Sequence, residues 1–130
     1  MIEKRLLKID STTVNNHYYL DTQDLCYYFG DYYARQGFGH SPMNQLIFNL
    51  KKPMDKKDTS SWQYKETAIK TIADAIIGLK QWEKLKQYTW IPIPSSKVRE
   101  DPAYDDRLMK ILTTINKGAD SSLDIRDILT

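Results

Sequence analysis

Cysteine is almost missing from this chain of 130 residues. Cys26 stands alone, which excludes an intrachain disulfide and any cysteine-based zinc cluster. Histidine is nearly as scarce: His17 and His40 lie far apart in unlike contexts and do not make a metal pair. No apolar run approaches the roughly 20 residues that span a bilayer. The start, Met1-Ile-Glu-Lys-Arg-Leu-Leu-Lys8, lacks the apolar stretch and small-residue cleavage site of a secretory leader. With so sparse a thiol content, a cytoplasmic setting without membrane attachment is expected. A dominant charge is missing too. The 19 Lys+Arg face 17 Asp+Glu, a net charge of +2, which gives no strong pull toward nucleic acid or an acidic membrane. There is no internal repeat and no low-complexity tract. At 41% hydrophobic and 28% charged residues, what remains is the composition of a folded globular domain. The length suits one domain with a real core.

Charge and aromatic content divide the chain. Residues 1–60 carry six of the nine tyrosines, residues 61–100 are the most basic stretch, and residues 101–130 are the most acidic. Lys51–Ser61 is polar, holds four lysines and a proline, and reads as a solvated loop; contact of those lysines with nucleic-acid phosphates is the weaker alternative. A first helix is expected from Asp21, with Asp21 and Asp24 at its positive end. Leu25, Tyr28, Phe29, Tyr32 and Tyr33 would lie on one face, and Gly37 and Gly39 would end it. The pairs Tyr18-Tyr19, Tyr27-Tyr28 and Tyr32-Tyr33 could stack on bases, but rings packed inward with wet hydroxyls are the better expectation. Cys26 would then be a small packed residue rather than a nucleophile. Asn44–Leu50 is short and apolar in its middle, which leaves helix and strand both open.

Ala68, Ile69, Ile72, Ala73, Ile76 and Leu79 form an apolar stripe over 64–80, with Lys65, Glu66, Lys70, Asp74 and Lys80 off it. Tyr88–Pro94 is aromatic and β-branched without alternation, as in a buried parallel strand, and Pro92 weakens its pairing before Pro94 ends it. Pro102 is a helix-start signal. Leu108, Met109, Ile111, Leu112 and Ile115 make a third amphipathic helix, stopped by Asn116-Lys-Gly118, and Leu123–Leu129 begins as a strand. Helix, strand, loop, helix, strand is the order of an α/β sheet.

In open α/β sheets ligands bind beyond the carboxyl ends of the strands. Here that place is Ser95-Ser-Lys-Val-Arg-Glu-Asp101, with two hydroxyls, a lysine, an arginine and backbone N–H groups before a helix. Oriented donors, a compact positive charge and a guanidinium fork are what a phosphate or pyrophosphate needs. Serine, lysine and arginine are equally the ordinary residues of exposed loops, and both readings stand.

Trp90-Ile-Pro-Ile-Pro-Ser-Ser-Lys-Val-Arg99, followed by Tyr104-Asp-Asp-Arg-Leu108, resembles the first strand and pyrophosphate loop of type I phosphoribosyltransferase-like proteins. It is most similar to a bacterial subgroup with a PIPPSK…DP.YDDR pattern, and Ser95 stands where that subgroup commonly has a second proline. Tyr27–Arg35, Asn44–Lys51 and Tyr64–Lys70 look like the subgroup's N-terminal segment, so the resemblance runs from about residue 18 to the end. It implies a Tyr-rich, mainly helical, hood-like segment over 1–60. Residues 61–130 would be the first α-β-α-β part of a parallel, Rossmann-like sheet. It further implies chemistry at the anomeric carbon of phosphoribosyl pyrophosphate, with Mg²⁺ bridging substrate oxygens. Ser95, Ser96, Lys97 and Arg99 would face the pyrophosphate, and Arg107 would reach the same charge or pair with Asp106. The subgroup looks like an occupant of bacterial defence gene clusters, which implies an anti-phage role.

The family's later strand with two terminal acidic residues, and its Thr- and Gly-containing loop for the ribose 5-phosphate, have no counterpart here. Asp105-Asp106 follows no buried strand, and Thr113-Thr114 lies inside a helix pattern. The expectation is therefore a chain that does not catalyse alone. It would act with a missing C-terminal half or with a protein partner that completes the sheet. The alternatives are a catalytically inactive interaction or regulatory subunit, and a nucleic-acid adaptor using the lysine loop, Trp62 and Trp82.

Overall fold

The protein is described by a computed structural model. The structure describes residues 6–10, 14–21, 23, 25–119 and 122–129. Four α-helices and two small sheets are present among them: an antiparallel pair near the N-terminus and a parallel pair near the C-terminus. The chain is thus mixed helix and sheet.

The segment expected to be the tyrosine helix is not helical. Tyr27–Tyr28 is a strand, β2, paired antiparallel with β1 (Leu7–Lys8) in the register Leu7↔Tyr28. Asp21 uses its carboxylate in a local turn, accepting from the Gln23 N–H at 2.8 Å, and Asp24 lies outside the described residues. A short acidic side chain that binds backbone two residues on competes with helix initiation. Apart from Tyr28, which is half-buried, the rings do not pack inward either. Tyr18 and Tyr19 are 92% and 91% exposed, and Tyr27, Tyr32 and Tyr33 are also exposed. Cys26 is half-buried beside β2, where its carbonyl accepts from the Ile9 N–H at 2.9 Å.

Helix begins at Pro42. Helix α1 (Pro42–Leu50) resolves the open choice for residues 44–50. Ser41 caps it by accepting from the Asn44 N–H at 3.0 Å, and a proline in the first turn sacrifices no hydrogen bond. After the lysine loop, which contains one 3₁₀ turn (Met54–Lys56), comes α2 (Trp62–Ile77). Its stripe behaves as the spacing predicts: Ala68, Ile69 and Ala73 are buried. Lys65 does not. Instead of lying off the stripe it is 1% exposed.

A one-turn helix, α3 (Trp82–Leu85), leads into β3 (Thr89–Trp90). Trp82 is buried and Trp62 half-buried, so neither is the exposed aromatic an adaptor would use. The strand expected over 88–94 pairs only at its first residues. Arg126 N–H donates to Trp90 O at 2.9 Å, and beyond it Pro92 and Pro94 have no N–H to offer. The expected burial is also absent, because Ile91 and Ile93 are exposed.

Helix α4 (Arg107–Gly118) starts five residues after Pro102. Asp101 holds Pro102 in a turn instead: its carboxylate accepts from the Ala103 N–H at 2.8 Å and its carbonyl from the Tyr104 N–H at 2.9 Å. Then β4 (Asp124–Ile125) pairs parallel with β3 in the register Thr89↔Asp124, Trp90↔Ile125. It too is far shorter than the expected 123–129.

The core lies between α2 and α4. Ala68, Ile69 and Ala73 of α2 meet Ile111, Leu112 and Ile115 of α4, closed by Leu50, Trp82 and Leu123. Trp90 and Ile125 pack against its side, which seats the parallel pair on the helices. Among the described residues no helix is long and apolar enough to cross a membrane.

Candidate functional site

Both parallel strands run out at the same end of the molecule, beside the N-terminus of α4. A cleft of about 920 Å³ opens there. One wall is the run 92–100 that leaves β3, another is 103–109 at the start of α4, and Asp127 and Leu129 come from beyond β4. Lys51, Pro53 and Met54, just after α1, close the remaining side. Ser95, Ser96, Lys97, Arg99 and Arg107, singled out from sequence, therefore line one cavity at the carboxyl ends of the strands.

Their states differ. Ser95 Oγ accepts from the Lys97 N–H at 3.1 Å, a tight turn that occupies that donor. Ser96 and Lys97 are exposed, and Lys97 makes no ion pair among the described residues. Arg99 donates through Nη2 to Asp127 Oδ2 at 2.5 Å, joining the segment after β3 to the segment after β4. Arg107 pairs with Asp105 and not with Asp106, one of the two roles the resemblance left open for it. Its Nη1 lies 3.0 Å from Asp105 Oδ2, and its N–H donates to Asp105 Oδ1 at 3.1 Å. Asp106 faces Lys110 at 3.5 Å, one helical turn on. Asp105 thus satisfies a free N–H at the α4 start while holding the arginine beside it.

Beneath this wall lies a group that sequence reasoning placed wrongly. Lys65 Nζ donates to Leu50 O at 2.6 Å, to Lys52 O at 2.9 Å and to Asp105 Oδ2 at 2.7 Å. An ammonium has three donors, and all three are used. Burial pushes the Lys65 pKa below its ordinary value, and the bond and charge of Asp105 oppose that shift. The signal was in the spacing: 65, 69, 72 and 76 recur at helical intervals, so a lysine stands in line with the apolar stripe.

The charges lining the cleft balance. Lys51, Lys97, Arg99 and Arg107 face Glu100, Asp105, Asp106 and Asp127. Two of the cations are held by carboxylates, whereas Lys51 and Lys97 are uncommitted among the described residues. An anion entering the cleft meets two free ammonium groups and two guanidinium forks already held in place. A protein-held metal does not fit as well. Asp105, Asp106 and Asp127 each face a cation, and no group of three metal-ligating side chains occurs among the described residues.

Comparison of the chain with protein-family models, with curated proteins and with solved structures found no match in any of the three.

Proposed function

We propose that the chain binds a phosphorylated small molecule of the pyrophosphate class, phosphoribosyl pyrophosphate included, in the cleft beyond β3 and β4. Supporting this is the convergence of Ser96, Lys97, Arg99 and Arg107 on one cavity beside a helix N-terminus, with Lys97 unpaired among the described residues. The sequence resemblance of 90–108 to a phosphoribosyltransferase pyrophosphate loop points the same way. Binding is the whole of the proposed activity: the chain does not turn the ligand over alone, since among the described residues no loop for a ribose 5-phosphate accompanies the cleft. Mg²⁺ would arrive as part of the ligand, and a reducing, cytoplasmic setting belongs to the same proposal.

Titration calorimetry with pyrophosphate tests it. Lys97→Ala and Arg99→Ala should each weaken binding, by about 1.5–3 kcal/mol where a charge-assisted hydrogen bond is lost. Unchanged binding in both variants would sink the assignment. Consumption of phosphoribosyl pyrophosphate by the purified chain, abolished by Lys97→Ala, would overturn the claim that it does not catalyse.

The parallel pair favours a role in an assembly as well. Beyond its two strands Ile93, Ile128 and Leu129 are exposed, and no third strand joins the pair among the described residues. A C-terminal half or partner protein that adds strands here would cover those side chains and wall the cleft.

A further inference from the structure

We infer that Lys65 is a positioning residue for the cleft: from below, it ties the Lys51–Met54 wall to the Arg107 wall and so fixes the separation of the cations that meet the ligand. The inference rests on the cleft being the binding site proposed above.

Three observations carry it. Lys65 is 1% exposed and does not line the cleft, so it has no part in direct contact with a ligand. Its carbonyl partners, Leu50 O and Lys52 O, flank Lys51 and immediately precede Pro53 and Met54, all three of which line the cleft. Its third partner, Asp105, is the residue that grips Arg107 through both backbone and side chain. One ammonium group therefore bonds to two walls that are more than 50 positions apart in sequence. The bonds are also directional. Three acceptors around one tetrahedral nitrogen define where Asp105 sits, and Asp105 then anchors the Arg107 guanidinium through Nη1 and the Arg107 backbone through its N–H. Trp62 backs the arrangement, its ring centroid 5.6 Å from Nζ. Packing alone would not do this, because apolar contacts tolerate sliding while a buried, fully bonded charge does not.

Lys65→Met tests the role, since it keeps the chain's bulk in the core and removes the three bonds. It is expected to lower pyrophosphate affinity about tenfold, the scale on which groups that orient a ligand-contacting residue act. The melting temperature should fall as well, because Leu50 O and Lys52 O lose their donor and Asp105 keeps only Arg107 as its cationic partner, so the affinity loss is read on the folded protein. The spectroscopic readout is the Arg Nε–Hε cross-peaks with and without pyrophosphate. In Lys65→Met the ligand-induced shift of Arg107 should disappear while that of Arg99, anchored on Asp127, persists. Should Lys65→Met unfold, Lys65→Gln, which leaves the carbonyls an amide donor while removing the ammonium charge, provides the same test at the same position, with the same direction of loss expected. Wild-type binding that Lys97→Ala weakens and Lys65→Met leaves unchanged would overturn the positioning role while leaving the binding site in place. Equal loss of the Arg99 and Arg107 shifts would also overturn it, by showing a general loosening. Failure of the wild-type chain to bind pyrophosphate would overturn the binding site itself, and this inference with it.

Discussion

Asn44 uses every hydrogen-bonding function of its carboxamide on the chain that precedes it. Oδ1 accepts from the Tyr33 N–H at 2.9 Å and from Ser41 Oγ at 3.2 Å, while Nδ2 donates to Tyr33 O at 2.9 Å and Gly37 O at 3.0 Å. The clamp holds a stretch that contains Arg35 and Gly37 at positive φ and no regular structure of its own up to the turn at 38–40. Asn44→Ala should therefore cost about 1–3 kcal/mol in a urea unfolding series, because backbone groups lose partners that an alanine does not replace. Asn44→Asp should cost as well, since an ionised carboxylate has no donors for the two carbonyls. Neither Asn44 nor Lys65 was legible as a structural residue. Composition and periodicity grade a polar side chain by type, whereas its burial is decided by which acceptors a distant segment brings to it. Lys65 was the more readable of the two, being in line with the stripe of α2; the partner that makes its burial tolerable, Asp105, is 40 positions away.

At the scale of elements, α2 and α4 were readable because each carries a long apolar stripe that local spacing alone defines. The tyrosine segment was misread for the same reason in reverse. Its residues fall at helical intervals, yet β1 offers them a pairing partner and Asp21 a competing turn. The strands at 89 and 124 were placed correctly but drawn too long, since Thr89, Asp124, Ile91 and Ile93 are exposed and the prolines after Trp90 end the ladder. Asp124 joins the two strands by side chain as well as backbone. Thr89 Oγ1 donates to its Oδ2 at 2.7 Å and Arg126 adds two longer bonds, and these, the threonine first, lower the Asp124 pKa below its ordinary value. A lowered carboxylate pKa contributes stability that is present above the unfolded value and disappears as pH falls through the folded one. Acidification should thus loosen β3 from β4. In an NMR titration the Asp124 carboxyl carbon should report a midpoint below that of free aspartate, and Thr89→Val should move it back up.

For the whole molecule, the cleft is where the remote parts of the chain meet, and its position followed from topology more than from motif. A polar loop after a strand and before a helix locates the mouth; the opposing walls from Lys51–Met54 and Asp127 are tertiary and left no mark in local sequence. Asp127 bears on how the cleft admits a guest. It holds Arg99, so a phosphate of the kind proposed would compete there with an attached carboxylate. Asp127→Asn should tighten pyrophosphate binding severalfold, the effect shrinking as salt rises because the pair is mostly exposed. Calorimetry at two ionic strengths checks both halves of that statement.

The register Thr89↔Asp124 also has a kinetic meaning. Two-residue strands so distant in sequence gain too little on meeting to offset the entropy of closing the intervening chain. Helix α4 is expected to dock on α2 first, with the strand ends meeting afterwards, an order that mutation of Ile115 against Thr89 in folding-rate measurements would check. On that expectation the parallel pair arrives late in folding and departs early in unfolding, and the cleft built on its ends shares that schedule.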